Sequence, residues 1–185
     1  MPISQIDTHS ALIVIDLQKG IVGLPTDEPA ADIVHRAAQL ANAFRAHDLP
    51  VVLVNVDGAA PGRTDAGPSK FSMTSEWAEL VPELGKAKSD HLVTKQRRGA
   101  FIGTDLHEYL TSHGVTQVVF AGIATSIGVE SSARSASDLG YHVVFVTDAM
   151  TDLTMENHRH AVEKIFPRLG ETATTADVLA LMKKT

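Results

Sequence analysis

Apolar residues fall along this chain in two alternating rhythms, one of short unbroken runs and one of positions three or four apart. The clearest instance is residues 117–150, QVVFAGIATSIGVESSARSASDLGYHVVFVTDAM. Val118, Val119 and Phe120 make a continuous run of strand character. Val129, Ala133, Ala136 and Leu139 then recur at helical spacing up to Gly140, and residues 143–146 form a second apolar run. Strand, helix, strand in that order predicts a βαβ unit. Parallel strands need a crossover helix of one hand, which puts the turn at 122–128 at the carboxyl end of the sheet, where open α/β sheets bind ligands.

The same rhythms continue on either side. Residues 11–17 (ALIVIDL), 51–56 and 91–94 read as strands, and 171–174 as a weak one. Residues 29–47 read as a helix with Ile33, Ala37, Leu40, Ala41 and Phe44 on one stripe. Thr104 is placed to cap a helix running to His113, with Asp105 and Glu108 where the helix dipole favours acids. Residues 157–166 turn Ala161, Val162, Ile165 and Phe166 inward, and 175–183 make a last helix. Gly and Pro mark 19–28 as a loop and 57–69 (DGAAPGRTDAGPS) as a long one, suited to a lid or a subunit contact. Residues 71–84 show no decisive period, and Trp77, the only tryptophan, either lines a pocket or packs. Six strands alternating with helices predict an α/β fold of three layers, with helices on both faces of a parallel sheet and a single domain over 1–185. Strand order does not follow from the pattern.

Composition narrows the chemistry. A chain of 185 residues can bury roughly 70% of its unfolded surface. Its net charge of −6 argues against general attraction to nucleic acid or anionic membrane. The first ten residues have neither a basic start nor an apolar leader core, and no apolar run approaches spanning length, so a cytoplasmic protein is expected. There is no cysteine, which excludes disulfides, thiolate metal sites and thiol nucleophiles. Neither GxxxxGK[ST] nor a G-x-G-x-x-G after the first strand occurs, so no cofactor is expected. His158 and His160 stand two apart, on different faces of a helix, and the other histidines lack ligand spacing, so no metal is expected. Ser131, Ser132, Ser135 and Ser137 sit in no G-x-S-x-G elbow and read as helix surface or helix–sheet packing.

Two places combine charge with a strand end. Asp16 interrupts an otherwise apolar strand, either as an acid satisfied by backbone amides or as an active-site acid. Lys95, Arg97 and Arg98 follow the third strand, either as a solvated basic turn or as a site for a small anion.

The segments ALIVIDLQKG (11–20), VTKQRRGAFIGTDL (93–106) and GIATSIGVESSARSASDLGYHVVFVTDAM (122–150) resemble, in order and spacing, three blocks of the isochorismatase-like hydrolase superfamily. The resemblance spans nearly the whole chain. It implies a Rossmann-like six-stranded parallel sheet, a homodimer or larger homo-oligomer, and a site built from an Asp, a Lys and a Cys; these map onto Asp16, Lys95 and Gly128. It also implies substrate contacts at Gln18, Arg97, Phe101, Ile123, Ala124 and Thr125, and a non-proline cis bond between Ile123 and Ala124.

Gly128 decides which branch can be carried over. In the amidase branch a thiolate attacks a carbonyl, and glycine has nothing to attack with. The second strand also lacks the Asp-x-His ligand pattern that nicotinamidases use. The isochorismatase branch has glycine here, because its acid protonates a vinyl ether and water completes the hydrolysis. By that resemblance Asp16 would donate the proton, while Lys95 and Arg97 would hold the carboxylates of a small anionic substrate. Ala124-Thr125-Ser126 stands where that branch has Tyr and His, so the turn is a hybrid. Three readings stay open: vinyl-ether hydrolysis, another thiol-independent hydrolysis, and a non-catalytic ligand-binding or scaffold homologue. Burial would raise the pKa of Asp16 and Lys95 would lower it, and the sequence does not say which prevails.

Overall fold

Six parallel strands form one sheet in the order β3-β2-β1-β4-β5-β6. The computed structural model describes residues 3–65, 67 and 73–183. The strands are β1 (Ser10–Ile15), β2 (Val51–Val56), β3 (His91–Lys95), β4 (Gln117–Ile123), β5 (His142–Thr151) and β6 (Glu171–Ala173). Every residue of β1 and β4 is buried, as unbroken apolar runs in the middle of a covered parallel sheet require.

Alternate residues feed two cores. Leu12, Val14, Leu53, Val119 and Val144 pack under α2 (Ala30–Ala46) and α6 (Thr175–Met182), the first helix showing the stripe expected of it. Ile13, Ile15, Val54, Phe120 and Phe145 pack under α3 (Leu106–Ser112), α4 (Glu130–Asp138) and the segment that follows α5 (Met155–His160). This is the predicted three-layer arrangement. Winding runs outward from β1 through β2 to β3, then returns to β4 on the other side of β1. The crevice between the carboxyl ends of β1 and β4 is therefore the switch point at which such sheets take ligands. Among the described residues no helix is long and apolar enough to cross a membrane.

Element boundaries differ from the pattern in instructive places. Strand β1 stops at Ile15 because Asp16 has φ 53, a left-handed conformation that Asp tolerates better than most residues. A short α1 (Lys19–Val22) occupies part of the expected loop at 19–28. The α3 helix begins at Leu106 with Asp105 at its N-cap position; the Thr104 hydroxyl accepts from the Leu106 N–H at 3.4 Å and donates to the Ala100 carbonyl. Leu139 is not inward-facing but 45% exposed, since α4 ends one residue earlier. Strand β5 runs on to Thr151, well past the apolar run. The helix expected at 157–166 starts at Met155 under a Thr154 cap and changes after His160 to a π-helical turn, Ala161–Ile165, and a 3-10 turn, Phe166–Arg168.

In the stretch 73–84, Leu80 makes an antiparallel bridge to Gln18, and a 3-10 turn spans Pro82–Leu84. Trp77 packs: a Cβ placed on Gly20 would lie 2.0 Å from its indole, so the ring lies flat against a residue with no side chain. Residues 57–65 and 67 of the long loop form neither helix nor strand; its residues 66, 68 and 69, like 71 and 72 of the stretch after it, lie outside the described residues.

Candidate active site

Asp16 and Lys95, 79 residues apart in the chain, meet at the carboxyl end of the sheet with Lys95 Nζ 2.8 Å from Asp16 Oδ2. Lys95 closes β3, and its side chain reaches past β2 to do so. Both residues are almost closed to solvent, 5% and 2% exposed. Among the described residues Asp16 Oδ1 has no hydrogen-bond partner. Burial pushes the Asp16 pKa up to about 6, and the Lys95 ammonium beside it only partly offsets that. The opposing effects recognised in the sequence are thus decided in favour of burial: a carboxyl that can carry a proton near neutral pH.

Gly128 forms the third corner. The Ile123–Ala124 peptide is cis, as the resemblance implied. The chain then makes a π-helical turn, Thr125–Val129, before α4; such turns recur at functional sites. A Cβ built on Gly128 would fall 3.1 Å from Asp16 Oδ2 and 2.9 Å from Ile15 Cγ2. The carboxylate therefore comes close to the backbone of the turn because no side chain intervenes. The space beside Gly128 is not the open room that loss of a side chain suggests, and introducing a thiol there is not structurally cheap. Gly128→Cys is expected to destabilise the protein by about 1–3 kcal/mol through overpacking, measured by chemical denaturation. An unchanged midpoint would show that Ile15 and Asp16 yield freely.

The remaining expected contacts divide. Ala124 is half-exposed and Ile123 is buried in the α2-side core. Arg97 is half-buried, its Nη1 donating to the Gln96 carbonyl, and Arg98 is exposed; the hydrogen bond to Asp16 comes from Lys95. Gln18 is fully buried, and its amide knits backbone: Nε2 donates to the carbonyls of Val56 and Trp77, and Oε1 accepts from the Val56 N–H. Phe101 packs in the α4-side core near Tyr141. Thr125 is fully buried, its hydroxyl 2.9 Å from His158 Nδ1.

Three polar residues around the turn escaped the sequence reading. Ser132, buried, accepts from the Ala100 N–H and donates to the Gly128 carbonyl, tying the loop after Lys95 to the turn. Asp152, also buried, accepts the Ser126 N–H at 2.7 Å and the Leu153 N–H at 2.8 Å. His158 had been considered only as a metal ligand. No local signal marks Asp152, which lies past the apolar run at 143–146 with Thr147, Asp148 and Thr151 between. A cavity of about 660 Å³ lies elsewhere, beside β2 and the edge strand β3, with Asn55, Thr74, Lys86 and Thr94 in its walls; Asp16, Lys95 and Gly128 do not line it. Among the described residues no group of three or more His, Asp or Glu side chains is disposed to hold a metal.

Comparison with known proteins matches residues 10–177 to the isochorismatase domain. The chain is 44% identical to the isochorismatase family protein YwoC of Bacillus subtilis over 94% of each sequence. It is 37% identical to the isochorismatase family protein YecD of Escherichia coli O157:H7, over 92% of this chain and 94% of that one. An isochorismatase family protein from Burkholderia thailandensis superposes with a TM-score of 0.93 at 43% identity, covering 97% of this chain and 98% of the other.

Proposed function

The chain belongs to the isochorismatase family of hydrolases, and from that premise we propose that it hydrolyses the vinyl ether of isochorismate or a closely similar small dianion, with Asp16 as general acid. The observation that carries this reading is a buried carboxyl with a pKa of about 6, and it is supported by the glycine at 128, where the resemblance to the amidase branch implies the nucleophile. Acid chemistry needs a proton donor poised near the working pH, and covalent acyl transfer needs a side chain that Gly128 lacks.

The step balances simply. Asp16 gives its proton to the terminal methylene carbon of the enol ether, and positive charge develops on the ether-bearing carbon. Water adds there and returns a proton to the carboxylate. The hemiketal then collapses, breaking the carbon–oxygen bond to the ring and releasing pyruvate and the ring alcohol. Lys95 holds Asp16 Oδ2 in place, and Arg97 and Arg98, which follow it closely in the chain, suit a dianion.

The test is incubation with isochorismate and assay of pyruvate. Because the acid must be protonated, kcat/KM is expected to be level below about pH 6 and to fall roughly tenfold per unit above it. A rate that rises with pH through that range would make Asp16 a base and overturn the reading. Turnover is also expected to be indifferent to iodoacetamide and to EDTA; inhibition by EDTA that zinc reverses would point to metal chemistry instead. Tight binding without pyruvate release would favour a ligand-binding homologue.

A further inference from the structure

We propose that Asp152 and His158 are positioning residues that hold the turn carrying Gly128 against Asp16. Their bearing on catalysis rests on the reading above, but the contacts themselves do not. The turn begins at Ala124 with no side-chain cap of its own. Two successive residues of it are gripped from neighbouring places, by Asp152 in the connection between β5 and α5 and by His158 on α5. Asp152 Oδ2 accepts the Ser126 N–H, and its other oxygen accepts the Leu153 N–H, so one buried carboxylate bridges the two chain segments. His158 meets the hydroxyl of Thr125, which is wholly buried.

A buried hydroxyl without a partner is costly, so Thr125 depends on this ring. Burial holds the His158 pKa down, against the nearby Glu28 and Asp152 carboxylates, and keeps the imidazole neutral. Assigning the ring hydrogen to Nε2 lets Nδ1 accept from Thr125. On its far side the same turn is held by Ser132 through the Gly128 carbonyl. Gly128 is thus fixed from two directions at the distance that keeps Asp16 closed in. If the turn loosens, water reaches Asp16, and its pKa falls back toward that of an ordinary carboxylate.

The experiment follows the Asp16 carboxyl carbon by NMR through a pH titration of the full-length protein, with amide hydrogen exchange of Ser126–Gly128 measured alongside. His158→Phe keeps a ring but removes Nδ1; His158→Asn returns a polar atom at nearly the same place. Expected for His158→Phe are a fall in the Asp16 pKa of about one unit and at least tenfold faster exchange in the turn. Amides of β1 and β4 should keep their protection, and His158→Asn should recover most of both effects. If the Asp16 titration is unmoved, or if exchange accelerates equally in strands and turn with Asn no better than Phe, His158 is an ordinary core residue. Should His158→Phe fail to fold, Thr125→Val puts the same question from the other partner, with the same outcomes deciding. Neither readout requires turnover, so the result stands whether or not isochorismate is the substrate.

Discussion

Asp16→Asn is expected to lower pyruvate release by roughly 10²–10⁴-fold, the usual worth of a positioned general acid, while costing the fold little at neutral pH. The second effect follows from the site's geometry. Asn accepts the left-handed backbone at this position as readily as Asp, so φ 53 costs nothing extra. Asn is also neutral, the charge state that burial favours for Asp16 by pushing its pKa up to about 6, and its side-chain oxygen can accept from Lys95 Nζ, which lies 2.8 Å from Asp16 Oδ2. Asp16→Asn and the double variant Asp16→Asn/Lys95→Met, in which both members of the pair are removed, should therefore each unfold in urea within about 1 kcal/mol of the parent at pH 7. Both should lose the activity in the pyruvate assay. A loss of about 3–5 kcal/mol in Asp16→Asn alone would mean that Asp16 is held as the charged partner of Lys95 and not as a protonated acid. Retained turnover would remove Asp16 from the mechanism.

The same pair gives stability a pH dependence whose sign can be worked out. Folding raises the Asp16 pKa from 3.8 to about 6, so between these values the folded protein keeps a proton that the unfolded chain releases. The contribution is fully present below about pH 4 and is lost as pH rises through about 6, a change on the order of 3 kcal/mol for a shift of two units. The double variant should lack this component.

Gly122→Ala is expected to be the most damaging single methyl in the protein's centre, costing about 4 kcal/mol and roughly 8–16 °C in Tm. Gly122 lies opposite Ile15 in the β1–β4 pairing, beside the ligand crevice, and has φ 125. A Cβ there would sit 2.0 Å from the Ile15 carbonyl oxygen and 2.7 Å from its nitrogen, and backbone in the middle of a sheet cannot swing aside as a side chain can. Gly140→Ala separates the two sources of cost. Gly140 also has positive φ, 89, but no heavy atom within 4 Å of its added Cβ, so only conformational strain of about 1 kcal/mol is expected. Equal effects at the two positions would show that the approach of β4 to β1 is looser than it looks.

Much of this protein was legible before any contact was known. Residues 11–15, 51–54 and 118–120 are apolar at every position, and only a strand covered on both faces has use for such a run. Helical spacing at Ile33, Ala37, Leu40 and Phe44 marked the face that α2 buries. Asp16 and Lys95 stood out because charge at the end of an apolar strand is rarely accidental, and the lack of any cysteine settled which nucleophiles were absent. These are local facts, since backbone periodicity and residue chemistry act over a few positions.

Distance between remote segments is another matter, and tertiary structure alone decided it. Strand order brought Lys95 past β2 to Asp16; burial then set the acid's pKa, a balance of desolvation against one charge that no spacing encodes. Gln18, which lies in a block that suggested substrate contact, turned out to be occupied by Val56 and Trp77. Nothing local marks Ser132, Asp152 or His158 as neighbours of the turn at Gly128, and the fold alone carries them there. Whether the missing side chain of Gly128 leaves space likewise depends on how near Ile15 and Asp16 come from another strand. Hydrogen bonds, Coulomb attraction and steric contact all act across a few ångströms of space, and folding makes neighbours of residues that the chain holds far apart.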